Sequence, residues 1–76
     1  KMLSTKEYQL LMCSFRYALG RSTSIVSTIV DYIIEDWDKL EVAYQEQMKL
    51  EINEAFNRLG FISSIDRPYW NKIITL

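Results

Sequence analysis

Apolar residues recur at steps of three and four along most of the chain, and the rhythm breaks at its two glycines and single proline, Gly20, Gly60 and Pro68. That spacing makes one face of a 3.6-residue helix, so the pattern predicts helices joined by short connections. In the first helix the stripe is Tyr8, Leu11, Met12, Phe15, Ala18 and Leu19. Ser4 and Glu7 stand in the capping-box relation, with Leu3 and Tyr8 at the staple positions. The helix is expected from about Thr5 to Leu19, with Gly20 as its left-handed stop.

Arg21 is then a short connector, and Ser22 or Thr23 is the N-cap of a second helix over roughly Thr23 to Trp37. Val26, Ile29, Val30, Ile33 and Trp37 line one side of it, widened by Ile25 and Ile34. Ser24, Ser27, Thr28, Asp31, Glu35 and Asp38 line the other. The β-branched content would suit a strand as well, but the period and the polar face favour a helix. The stretch "WDKLEV" repeats the start signal, with Asp38 as N-cap, Glu41 at the capping-box position and Trp37 and Val42 able to staple across it.

A third helix is therefore expected from near Lys39 to Leu59, ended by Gly60. Its inward stripe is Ala43 or Tyr44, then Met48, Ile52, Ala55, Phe56 and Leu59. Its solvated side is Glu46, Lys49, Glu51, Asn53, Glu54, Asn57 and Arg58. In the tail, Asp66 as N-cap, Pro68 in the first turn and Ile65 against Trp70 predict a short fourth helix from about Arg67 to Ile74. Phe61, Ile62, Trp70, Ile73 and Ile74 are too apolar for a loose tail and should pack on the other helices or on a second subunit. The expected fold is all-α: a small three- to four-helix bundle, residues 2–76 forming a single domain. Lys1 ahead of Met2 reads as an addition to a natural start at Met2.

Length and composition add bounds to this picture. A chain of 76 residues buries only about 60% of its unfolded surface, so self-association, most simply as a dimer, or a partner is expected. Nine basic and ten acidic residues leave a net charge of -1, which argues against nucleic-acid binding by bulk phosphate neutralisation. One cysteine, Cys13, allows no internal disulfide and falls in an apolar pattern, which reads as a buried thiol in a reducing cytoplasm. No long apolar run predicts a membrane span, so a soluble protein of the cytoplasm is expected.

With no histidine and one cysteine, zinc sites and nucleophile–base triads lack their residues, and no glycine-rich phosphate loop is present. No catalytic residue, metal or cofactor is expected. Asp31, Glu35 and Asp38 share a helix face, which reads as solvated rather than catalytic. The stretch "FRYALGRSTS" offers a different kind of site. Arg21, Ser22 and Thr23 at a helix N-terminus would suit a phosphate or carboxylate, Arg16 could flank it, and Tyr17 could stack on a base. The plainer reading is a capped junction in which Arg16 bonds the last carbonyls of its own helix. Met2, Met12 and Met48 read as gap-filling core, and Trp37 and Trp70 as core anchors.

Over Phe15 to Leu40 the chain resembles a family of short proteins encoded by bacteriophages and other mobile elements. The shared features are Arg-Tyr-Ala-Leu-Gly-Arg at Arg16 to Arg21, then Thr23, the pair Ile25 and Val26, and Trp37 with Asp38. A later aspartate and tryptophan look similar to Asp66 and Trp70, whereas family members often carry tyrosine where Ser24 stands. The resemblance implies a phage origin and an all-helical fold, and leads to the expectation of an anti-defence protein, for example an anti-CRISPR inhibitor. It would bind a host defence protein, its acidic faces Asp31, Glu35, Asp36, Asp38 and Glu46, Glu51, Glu54 occupying a basic nucleic-acid channel. The alternatives are an oligomeric sponge holding a signalling nucleotide with Arg16, Tyr17, Arg21, Ser22 and Thr23, or an assembly accessory of the phage.

Overall fold

The computed structural model describes residues 2–21 and 23–76, and for Thr23 the backbone alone. Among these residues four α-helices follow one another, α1 (Thr5–Ala18), α2 (Thr23–Glu35), α3 (Val42–Phe56) and α4 (Arg67–Ile74), with a single 3-10 turn at Trp37–Lys39 and no strand. The protein is a small all-α bundle, as the periodicity predicts. Around it α1 packs on α2, α2 on α4, and α4 on α3.

Each helix contributes its stripe to one core: Leu11, Phe15 and Ala18 from α1, Val26, Val30 and Ile33 from α2, Met48, Ile52 and Ala55 from α3, and Trp70 and Ile73 from α4. Burial of each large side chain contributes about 1.5–3 kcal/mol. Phe15 meets Trp70 edge-on across the middle, with ring centroids 5.8 Å apart at 78°. The aromatic tail thus packs on its own bundle. Burial leaves Asp66 Oδ1 and Trp70 Nε1 without a hydrogen-bond partner among the described residues, a cost of about 1–3 kcal/mol each that the packing of the indole has to offset.

The capping box forms as expected: the Glu7 N–H donates to Ser4 Oγ at 3.2 Å, and the Ser4 N–H donates to Glu7 Oε1 at 3.0 Å. The second predicted box does not. Asp38 lies exposed within the 3-10 turn, and α3 begins only at Val42, after a Glu41 that makes no side-chain cap. The reason is packing. In a 3-10 turn residues three apart share a face, so Trp37 and Leu40 enter the core together. The Trp37 carbonyl accepts from the Leu40 N–H at 3.1 Å and from Gln45 Nε2 at 2.7 Å, which fixes the reversal into α3. Val42 is exposed and staples nothing.

Helix α3 also ends early. It stops at Phe56, where Asn57 caps it, rather than at Leu59. Leu59, expected in the core stripe, is fully exposed at the tip of the turn, while Phe61 and Ile62 fold back onto the bundle. Ala43 and Tyr44 are both exposed, so neither enters the core as expected, and Tyr44 lies stacked on Tyr8 at 3.7 Å between centroids. In front of α4, Asp66 hydrogen-bonds the Ser63 hydroxyl instead of capping with its side chain, and Ile65 is exposed rather than stapled to Trp70. Cys13 and Met2 are exposed, where a buried thiol and a core methionine were expected. Cys13 lies outside the buried stripe of α1, which is Leu11, Met12, Phe15 and Ala18.

Candidate functional site

The junction after α1 is built by backbone and side chain together. The Leu19 N–H bonds the Phe15 carbonyl at 3.1 Å and the Arg21 N–H bonds the Ala18 carbonyl at 3.0 Å, closing the turn around Gly20. Gly20 has φ +81°, and a Cβ there would stand 3.2 Å from the Phe61 ring, so both conformation and space call for glycine. Arg21 then folds back over the helix end: its Nε donates to the Tyr17 carbonyl at 3.2 Å, and its guanidinium lies 4.8 Å from the Tyr17 ring centroid. This covering of the last turn is the role expected of Arg16.

Arg16 instead leaves its own helix and clasps α3. Its Nε and Nη2 each donate to one oxygen of Glu51, both at 3.1 Å, and Glu51 also accepts from Gln47 Nε2 at 3.3 Å. Those hydrogen bonds from Arg16 hold the Glu51 carboxyl below the usual carboxylate range, and Glu51 in turn raises the Arg16 guanidinium. Burial, then the neighbouring Tyr44, pushes the Tyr8 hydroxyl up. The clasp and the Tyr8–Tyr44 stack tie α1 to α3. No local sequence signal pairs residues 35 apart, which is why Glu51 reads from sequence as part of a solvated acidic face and not as a partner of Arg16. Of the proposed anion site, Arg16 and Arg21 have separate partners, Tyr17 is exposed beneath Arg21, and Ser22 and the Thr23 side chain lie outside the described residues.

The acidic candidates divide differently. Asp31, Glu35 and Asp38 are exposed and make no ion pair among the described residues, beside a half-exposed Tyr32. Asp36 is partly buried and pairs with Lys39 at 3.4 Å. Glu46 and Glu54 are exposed and unpaired among the described residues, while Glu51 belongs to the clasp. Helix α2 contains no Lys or Arg, and its last turn carries no basic residue. Its carboxylates therefore crowd the negative end of the helix dipole, where each costs about 0.3–1 kcal/mol, and Asp31 and Glu35 repel across one turn.

One further feature is a cleft of about 140 Å³ along the α1–α3 seam, with Leu19, Ala55 and Phe61 as its apolar floor and Arg16, Glu51, Glu54 and Arg58 around it. The Arg58 guanidinium lies over the Phe61 ring at 5.0 Å. Among the described residues no three His, Cys, Asp or Glu side chains gather as a metal group. No described helix is long and apolar enough to cross a membrane. Comparison of the chain with protein-family models, with curated proteins and with solved structures finds no match.

Proposed function

We propose that this is a phage-encoded anti-defence protein that binds a host immune protein, an RNA-guided nuclease being the first candidate, and that the acidic face at the end of α2 is its working surface. The observation that carries the reading is the set of exposed, unpaired carboxylates Asp31, Glu35 and Asp38 on and just after a helix without a single basic residue. Local energetics disfavours that arrangement at a helix C-terminus, and breaches of local rules concentrate where function demands them.

A basic nucleic-acid channel has the complementary charge, and matched potentials give fast and selective association. Exposed Tyr32 adds an aromatic contact beside the carboxylates. The motif Arg16 to Arg21 supports the phage origin and stays a likeness in sequence. Arg16 and Arg21, on which a nucleotide sponge would rely, are engaged by Glu51 and Tyr17.

The test is expression in a bacterium armed with an RNA-guided nuclease and challenged with a targeted phage. The wild-type chain should restore plaques, and the variant Asp31→Lys/Glu35→Lys/Asp38→Lys, helical by circular dichroism, should not. Equal plaque recovery by the two would reject the acidic face as the working surface.

A further inference from the structure

Leu59 is 106% exposed, standing wholly in solvent at the tip of the α3–α4 turn. Its neighbours Arg58 and Phe61 line the α1–α3 cleft, so the leucine stands at the rim of a recess with an apolar floor. Leu59 itself does not line the cleft of its own molecule.

We propose that this corner is a self-complementary interface, and that in a two-fold dimer each copy places Leu59 in the cleft of the other. In such an interface a residue i that meets j is matched by j meeting i. Glu54 and Arg58 line the same cleft with opposite charges, and neither makes an ion pair within its own chain among the described residues. A two-fold contact that brings Glu54 to the partner's Arg58 makes the same pair a second time by symmetry. The remaining charges on the wall, Arg16 and Glu51, already neutralise each other.

A further exposed apolar pair, Leu10 and Tyr17 on α1, lacks this complementarity. An antiparallel pairing that set Leu10 on the partner's Tyr17 would also set Lys6 against the partner's Arg21, with like charges facing. A single leucine anchor with two rim ion pairs makes a small contact, so the dimer is weak and exchanges quickly.

Sedimentation equilibrium from micromolar to millimolar protein decides the matter. The wild-type chain should self-associate, and Leu59→Asp, Glu54→Arg and Arg58→Glu should each weaken the dimer about tenfold or more. The double exchange Glu54→Arg/Arg58→Glu should regain an affinity close to wild type, which a general loss of structure would not produce. All three positions are exposed, and circular dichroism confirms each variant's fold. A wild-type chain that stays monomeric throughout, a dimer indifferent to Leu59→Asp, or a double exchange that recovers nothing overturns the proposal.

Discussion

Arg16 and Arg21 flank one glycine turn and do different work, one clasping Glu51 on α3 and the other covering the end of its own helix. Because Arg16 holds the folded Glu51 carboxyl below its ordinary value, the clasp's contribution is fully present above the usual carboxylate pKa of about 4.3 and fades as pH falls through the folded value. The pair is partly exposed, so its worth is small: Glu51→Gln should cost up to about 1 kcal/mol in urea unfolding at neutral pH, and almost nothing once both values lie above the pH. An equal loss at neutral and strongly acid pH would show that the charge pair is not the cause.

Glycine offers a second residue-level comparison. Gly20 and Gly60 both have positive φ, +81° and +75°, but only Gly20 faces a ring where a Cβ would go. Gly60→Ala should therefore cost about 1–2 kcal/mol from backbone conformation alone. Gly20→Ala should cost more, and thermal unfolding that ranks them the other way would contradict the packing of Phe61 on the turn. Both glycines were legible in sequence as breaks in the apolar rhythm. The long-range pairing of Arg16 with Glu51 was not, because nothing local distinguishes Glu51 from Glu46 or Glu54.

At the level of the helices, the same capping signature succeeds at Ser4 and fails at Asp38. Around Ser4 the following stripe begins at Tyr8, and the box fixes the helix start without opposition. Around Asp38 the burial of Trp37 and Leu40 outweighs one cap, since two large side chains in the core are worth several kcal/mol and a cap about 1. Accordingly Ser4→Ala should lower stability by about 1 kcal/mol, whereas Asp38→Ala should change it by less than about 0.5. A comparable loss at both positions in chemical denaturation would put Asp38 back in a capping role. The end of α3 follows the same logic, for Phe61 and Ile62 reach the bundle only if the chain turns away before Leu59. The bounds of α4 agree with the sequence reading, and of its three signals Pro68 in the first turn holds while the Asp66 side-chain cap and the Ile65 staple do not form.

Across the whole molecule, charge is segregated rather than balanced. Residues 23–38 carry four acids and no base, while Arg58, Arg67 and Lys72 face one acid, the buried Asp66, in the last twenty-two. The near-zero net charge hides this division, so composition alone could exclude bulk nucleic-acid binding but could not point to a surface. The most direct test of that surface is cleavage of target DNA by a purified RNA-guided nuclease, titrated with this protein at low and at raised salt. Inhibition should weaken as salt rises and should vanish for Asp31→Lys/Glu35→Lys/Asp38→Lys. Inhibition that ignores both salt and charge reversal, or none at any concentration while plaques are still rescued in cells, would contradict an acidic face that occupies a nuclease's nucleic-acid channel.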